Sequence, residues 1–543
     1  MLRDINLCIG IKSLILLIAL SFFSVSGCNN NSTMDSTGDD GGGTPDSGAI
    51  NEVTKEPALT MAPNASTPLA GLLELSTSGL SRVSLTVSDG SDQWDVDFDG
   101  LNTDHSLPVL GFKPGRAHTV SVRVLDNEGN DLIDPVDPAV FEVTTDPLPE
   151  GFPEINVTST PELMEPGVTL FEASGYLIAV NETGEVVWYH QIQNLNGFLD
   201  RDVRRMQNGN LLLLLPRNRI IELDMLGNIV NQWHASGTSD GAEGSIPVDT
   251  LAFHHEVFEM QSGNFLVLSV EFRSFFDYPT SVFDPFAPLD FAIVAGDVIV
   301  EFAPDGTIVN EWPMLDMLDP FRINYSSLLG LYDNLFETIT GMAAETRDWS
   351  HGNAVIHNPA DDSIIVSLRH QDAVVKFSRQ TGELKWILGP HENWDQEQFG
   401  EFLLTPLSDD EFFFQYHQHA PDITDEGTII VYDNGNNRAS PFDPSLPDVD
   451  NFSRAVEYDI NEVTKEVDIV WEYGQFEDET LYTFFIGDAD YMPVTGNAMI
   501  TFGGIQPARI IEVTRTTPAQ KVFDLSLSEN FTYRSERLQS LYP

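Results

Sequence analysis

The stretch "DAVVKFSRQTGELKWILG", Asp372 to Gly389, decides the fold. An apolar run leads into a polar turn holding Gly382, and a second run returns to end on Trp386. Two β-capable runs split by a Gly-bearing turn predict a hairpin, because glycine takes the positive φ of such turns without strain. Five more segments share the form: "GYLIAVNETGEVVWY" (175–189), "NRIIELDMLGNIVNQW" (218–233), "DVIVEFAPDGTIVNEW" (297–312), "RAVEYDINEVTKEVDIVWEYG" (454–474) and "ARIIEVTRTTPAQKVFDLS" (508–526). Their bulky ends, Trp188, Trp233, Trp312, Trp386, Trp471 and Phe523, follow one another at intervals of 45 to 85 residues. A hairpin cannot bury both faces alone, so repeated ones must stack, and six predict a six-bladed β-propeller over residues 154–543. No segment of helical period competes with this. The unequal spacing marks insertions at 270–296, 313–345 and 391–412, expected as loops on one face.

Residues 57–153 carry short alternating runs such as "SRVSLTVSD", "HTVSVRVLD" and "AVFEVTTD" between Gly, Pro and Asp-Asn turns. They predict an immunoglobulin- or fibronectin-like β-sandwich, so the whole fold class is all-β. Residues 28–56 are rich in Asn, Ser, Thr, Gly and Asp; they cannot bury a core and read as a flexible tether. Before them Arg3 and Lys12 precede "SLILLIALSFFSVSG", an apolar run of signal-peptide length and short for a membrane span. It ends in "VSGC", which is similar to a bacterial lipobox. Residues 1–27 are then a lipoprotein signal peptide, and lipidated Cys28 anchors an exported lipoprotein, periplasmic or outer-membrane-bound. Cys8 leaves with the leader, so the mature chain keeps one cysteine and forms no internal disulfide. With 84 acidic and 27 basic residues the net charge is −57, an acidic coat that disfavours nucleic acid and anionic surfaces as partners.

Each hairpin follows another strand, which a propeller places along its central channel. "HEVFEMQSGNFLVL" puts His255 eight residues before Gly263, and "HAPDITDEGTIIVY" puts His419 eight before Gly427. Elsewhere that offset falls on Arg201 and Asp488, so the scaffold does not demand histidine. "HGNAVIHNPADDSIIVSLR" opens with His351 through a longer turn, and eight of the 12 histidines lie between residues 254 and 419. By the two-residue strand period, Asn353 shares the face of His351, and His417 that of His419. Arg369 ends the strand that His351 begins. Zinc is one reading of converging imidazoles. The fixed positive charge of Arg369 counts against it, and no carboxylate or thiolate is placed to complete a shell, so no metal is assigned. An oxyanion suits the set better: a forked guanidinium matches two oxygens of sulfate or phosphate. One neutral imidazole can then be the nucleophile while its neighbours serve as acid, base and charge stabilisers.

The most specific segment is "DWSHGNAVIHNPADDSIIVSLRHQDAVVKFSRQTGELKWILG" (348–389), with H-x-N, S-x-R and W-x-L-G spacings. With "HHEVFEMQSGNFLVL" and "QHAPDITDEGTIIVYDNG", it makes the chain from about residue 57 onward resemble the bacterial aryl-sulfate sulfotransferase family. The resemblance implies a β-sandwich joined to a six-bladed propeller, and sulfuryl transfer from a phenolic sulfate to a phenol with no phosphoadenosine cofactor. It implies that His419 is the nucleophile, transiently sulfated, and that His255, His351, Asn353 and Arg369 bind and stabilise the sulfuryl group. His417 flanks the site as a substrate contact. Ala420 and Pro421, after His419, depart from the family's pattern. His254 beside His255 leaves the register open by one residue, and the shared offset favours His255. A ligand-binding propeller without chemistry is the alternative, and a hydrolase with water as acceptor a third reading. The insertion "VEFRSFFDYPTSVFDPFAPLDFAIVAG" carries Phe272, Phe275, Phe276, Tyr278, Phe283, Phe286 and Phe291. Those rings fit a small core of their own, a subunit contact in a homodimer, or walls that hold a phenol ring.

Overall fold

All six repeated segments are antiparallel hairpins in the computed structural model, and all six share one irregularity. Register shifts between Ala179 and Val180, Glu222 and Leu223, Glu301 and Phe302, Lys376 and Phe377, Glu457 and Tyr458, and Glu512 and Val513. In each hairpin the second strand carries one extra residue, just past the turn in five of them and beyond the pair of Tyr458 with Ile469 in the hairpin of Arg454–Asn461 and Glu466–Tyr473. Such a bulge increases local twist, which suits sheets stacked face to face around an axis. Gly184, Gly227, Gly306 and Gly382 hold four of the turns at φ between 72° and 88°. The bulky residue closing each hairpin fastens sheet to sheet. Trp188 Nε1 donates to Met225 O at 2.9 Å, Trp233 Nε1 to Pro304 O at 2.8 Å, and Trp386 Nε1 to Glu462 Oε1 at 2.9 Å. Every one of these acceptors lies in the hairpin turn of the following sheet.

The structure describes residues 51–543 apart from 136, 193–201, 217, 409–411 and 475–480. The expected leader, Cys28, most of the expected tether and Arg201 lie outside the described residues. The hairpins sit in six sheets of four or five strands. Five sheets begin at Val203–Arg205, His254–Glu259, Gly352–Asn358, His419–Ile423 and Asp488–Tyr491; in the sixth the corresponding edge strand is Ser535–Leu538. Of these inner strands, His254–Glu259, Gly352–Asn358, His419–Ile423 and Asp488–Tyr491 neighbour one another in chain order, and Ser535–Leu538 neighbours Val203–Arg205. Ser535–Leu538 pairs with Val168–Ala173, while Ile155–Ser159 pairs with Lys521–Leu527, so each end of the region completes a sheet made by the other end.

Ahead of them, hydrogen bonds join five strands into one continuous sheet. Its long strand Gly71–Ser88 pairs along one edge with Gln93–Val109. Along the other edge it pairs first with Val53–Met61 and then with Ala117–Asp126, on which Ala139–Thr144 adds. The first of these strands starts at Val53, within the expected tether. Leu73, Leu85 and Val122 of this sheet share one core with Phe171, Ile178, Ile510 and Leu525. Lys113 adds an ion pair to Glu185, in the first hairpin, at 2.8 Å.

The insertions are not plain loops. Phe265–Tyr278 and Asp290–Phe302 stay paired out to Tyr278 opposite Asp290, so 270–296 extends its hairpin as a two-stranded ribbon. Alternating β-branched and aromatic residues favour that continuation. The 313–345 stretch folds helices Met314–Met317 and Asp333–Thr340, and Gln396–Phe399 interrupts 391–412. Phe272 meets Phe336 of the longer helix edge-on at 5.2 Å, and Phe275 meets Phe321 at 5.4 Å. Phe276, Phe283 and Phe286 are exposed.

Candidate active site

Three inner strands break register near their starts. Shifts fall between His254 and Val257, between Gly352 and Ala354, and between His419 and Asp422. Val203–Arg205, Asp488–Tyr491 and Ser535–Leu538 pair without a break. Left-handed backbone accompanies the breaks: His255 has φ 58°, His351 45° and Ala420 47°. Non-glycine residues held there cost of order 1–3 kcal/mol each and persist only where the surroundings over-determine them. Bulges of this kind re-aim side chains. Here the result is that His255 meets His351 edge-on at 4.8 Å, while His351 stacks on His370 at 4.5 Å.

All three histidines expected at the channel mouth hold Nδ1 against a framework partner. His419 Nδ1 lies 2.5 Å from Asn434 Oδ1. The Asn434 amide nitrogen donates to Thr483 O at 2.7 Å and Ile486 O at 2.9 Å, which fixes its oxygen toward the imidazole. His419 therefore carries its proton on Nδ1 and a lone pair on Nε2. His351 Nδ1 lies 2.6 Å from Asp348 Oδ2. His255 Nδ1 lies 2.9 Å from His254 Nδ1, and His254 Nε2 faces Ser269 O at 3.2 Å and Asp297 Oδ1 at 3.3 Å. Those two oxygens place the proton of His254 on Nε2, so His255 donates from Nδ1 and its Nε2 is bare. Between the two neighbours, His255 is the one whose ring joins the cluster.

Burial drives the basicity of His419 well below the ordinary histidine value, with Arg369 next in importance and then Arg534 and His351. His255 is also held well below it, first by burial and then by His351, His254, His419 and Arg534. Both imidazoles are neutral at physiological pH, the state a nitrogen nucleophile needs. Arg369 is not on the strand after His351. It follows the paired strand Ser363–Leu368, and its amide donates to His351 O at 3.2 Å because Gly352 stands opposite Leu368. Its Nη2 donates to Phe484 O at 2.8 Å.

The arylsulfotransferase family model matches residues 154–534, a span that holds this entire cluster. The chain belongs to the arylsulfotransferase family. It is 25% identical to arylsulfate sulfotransferase AssT of Lelliottia amnigena, over 81% of this chain and 82% of that protein. It is 32% identical to arylsulfate sulfotransferase AssT of Escherichia coli O6:H1, over 38% of this chain and 39% of that protein. Among solved structures it is similar to the β-propeller domain of Myceliophteria thermophila Cps50 (Swd1), at 9% identity and a TM-score of 0.31, over 71% of this chain and 92% of that one.

Within this arylsulfotransferase chain, sequence reasoning missed four partners. Asp348 stands three residues before His351, yet no carboxylate was expected beside the histidines. Asp348, His351 and His370 bring ligating atoms within 4.8 Å of one another. Their geometry is nevertheless that of a hydrogen-bonded stack. His370 Nδ1 lies 2.8 Å from Asp348 O, and rings at an interplanar angle of 20° run their lone pairs side by side. A zinc shell needs lone pairs converging on one point at about 2.0–2.1 Å. Asn434 was visible only as part of the D-N-G ending. Arg534 arrives with the C-terminal strand, donates to Asn353 O at 2.9 Å and pairs with Glu256 at 3.1 Å; nothing in its local sequence marks it.

Asn353 lies on the bulge and is fully buried. Its amide nitrogen donates to Gln418 O at 2.8 Å, while Oδ1 has no partner among the described residues. His417, with φ 52°, lies against Asp372 and Ser326, and its nearest imidazole is His370 at 6.2 Å.

Proposed function

We propose that the protein moves a sulfuryl group from a phenolic sulfate to a phenol in two displacements through a sulfated His419, with no phosphoadenosine cofactor. The scaffold is a six-bladed β-propeller over 154–543, with residues 57–153 as a β-sandwich-like partner domain. One observation carries the reading: Asn434 holds Nδ1 of a buried, neutral imidazole, leaving Nε2 bare beside Arg369.

His419 Nε2 attacks sulfur as the sulfur–oxygen bond to the aryl group breaks. Arg369 receives the sulfuryl oxygens as charge shifts onto the departing phenolate, the kind of fixed donor that stabilises a transition state most. His351, with Asp348 behind Nδ1, supplies the leaving phenolate with a proton from Nε2 and takes one back from the incoming phenol. His255 lies beside His351 as a neutral acceptor. Asn353 offers an unpartnered Oδ1, an acceptor that suits a phenol hydroxyl. The phenol then attacks sulfur and restores His419.

The test follows nitrophenolate release from nitrophenyl sulfate, with and without an added phenol, and searches for a sulfated His419 peptide by mass spectrometry. A single burst without acceptor, turnover with it, and sulfate on His419 are expected. Turnover without acceptor would mean a hydrolase, and binding without release a ligand-binding propeller. Cys28 is proposed as the lipid anchor of an exported protein, so Cys28→Ser should release the chain from the membrane fraction. The exposed Phe276, Phe283 and Phe286 are proposed as phenol-pocket walls or a homodimer contact. Altered acceptor ranking on truncation identifies the first, and altered mass in solution the second.

A further inference from the structure

Outside the sulfuryl cluster, one histidine sits between a carboxylate and a hydroxyl. His417 Nδ1 lies 2.9 Å from Asp372 Oδ1, and His417 Nε2 lies 3.2 Å from Ser326 Oγ. Asp372 and His417 are fully buried, while Ser326 is partly exposed. The carboxylate is anchored: Oδ1 accepts the His417 amide at 2.6 Å, and Oδ2 accepts from Asn324 Nδ2. The Nδ1–H of His417 is not aligned on Asp372 at rest and has no other partner among the described residues, so a small ring rotation brings it into line. Catalytic hydrogen bonds in ligand-free sites are commonly this loose.

The serine has an unusual backbone. Ser326 is held at φ 74°, left-handed, where a side chain is strained and glycine would not be. Its neighbours fix it there. Tyr325 OH donates to Asp443 O at 2.6 Å, and Ser327 Oγ donates to His370 O at 2.8 Å. A strained turn that presents one hydroxyl to a buried His–Asp pair is how a serine nucleophile is built on unrelated folds.

We propose that Ser326, His417 and Asp372 form a second nucleophilic centre, a serine acyl-transfer triad acting on carboxylic esters of phenols. The aryl preference comes from Phe283, which is 75% exposed at the ribbon tip and packs edge-on against Tyr325 at 5.8 Å. Ser326 Oγ bonds to the ester carbonyl carbon as its proton passes to His417 Nε2. The adduct expels the phenolate, which takes up that proton. Water then gives a proton to His417, adds to the acyl carbon, and releases the carboxylic acid as Ser326 regains its hydrogen.

The test treats the full chain with a fluorophosphonate probe and with nitrophenyl acetate, mapping the modified residue by peptide mass spectrometry. Stoichiometric labelling at Ser326 is expected, absent in Ser326→Ala and Ser326→Gly. The glycine variant relieves the backbone strain, so its loss of labelling cannot be put down to misfolding. His417→Gln should slow acylation by a factor on the order of 10²–10⁴, the usual contribution of a general base. Both Ser326 variants should keep transfer from nitrophenyl sulfate, and His419→Ala should keep the fluorophosphonate label, so this centre and the sulfuryl reading fail separately. No label at Ser326, or nitrophenyl acetate cleavage unchanged in Ser326→Gly, would overturn the triad.

Discussion

The inner strands divide into two halves. His254–Glu259, Gly352–Asn358 and His419–Ile423 are bulged and carry left-handed residues near their starts, and burial keeps His255 and His419 on them neutral. Val203–Arg205, Asp488–Tyr491 and Ser535–Leu538 keep their register and carry buried carboxyl and guanidinium groups at or beside them. Arg204 meets Asp202 at 2.8 Å and Glu256 at 2.6 Å, and Arg534 meets Asp202 at 3.4 Å. Burial and the neighbouring Asp202 push Glu536 up to about 7, against the favourable pull of Arg204. The difference shows how one architecture serves two needs. A nucleophilic nitrogen must be neutral and aimed, which costs backbone regularity; a framework of buried charge must be paired and repetitive, which regular strands provide.

Substitutions sharpen or break this contrast. The largest effect belongs to His419: replacement by Ala or Asn should lower turnover on the order of 10⁴-fold or more, as loss of a nucleophile does, with the melting transition retained. A retained nitrophenolate burst would move the nucleophile elsewhere. Next comes Arg369→Lys, which keeps charge but loses the fork. A loss of about 2–3 kcal/mol in transition-state stabilisation is expected from kcat/KM. Near-unchanged kinetics would make the guanidinium a purely structural group.

Asn434→Ala should cost roughly 10–100-fold, the scale for a residue that orients another. Asn434→Asp adds a diagnostic sign. A carboxylate at Nδ1 favours the protonated imidazole, so the acidic limb of the pH–rate profile should move to higher pH. An unmoved profile would mean that Asn434 does not set the protonation of His419.

The charged half is tested by stability. Glu536 is raised from 4.5 to about 7, so the folded chain binds more protons than the unfolded one across that window. Stability is then lost as pH rises from 4.5 through 7. Glu536→Gln should shrink that loss, giving about 1–3 kcal/mol more stability at pH 8 relative to pH 5 in denaturant titrations. Equal pH dependence in both proteins would show that Glu536 is not held protonated. The smallest expected effect is that of prolonged chelation with EDTA, which should leave sulfuryl transfer unchanged. Loss restored by zinc alone would turn the Asp348, His351 and His370 stack into a metal site.

Much of this architecture was legible in consecutive residues. Hairpins, turn glycines and closing tryptophans depend on the two-residue strand period and on local turn chemistry, which short windows contain. The offset of His255 and His419 from their turn glycines carried the same information into the site. Other features depended on side chains that meet only in the folded chain. Whether 270–296 would close as a loop or continue as a ribbon turned on cross-strand pairing and on Phe272 finding Phe336.

By itself the sequence determined an all-β repeat, the residue types at its mouth, and an oxyanion as the matching chemistry. Only the tertiary structure decided which nitrogen of each histidine its framework partner occupies. That choice rests on Asn434, 15 residues from His419, on Asp348, three from His351, and on His254 with Asp297 behind it. It also brought Arg534 to Asn353 across 181 residues, through a strand that completes the sheet of Val168–Ala173. The physical reason is range. Backbone pattern is a property of neighbours in the chain, whereas a proton's position is set by whichever acceptor the closed fold places about 3 Å away.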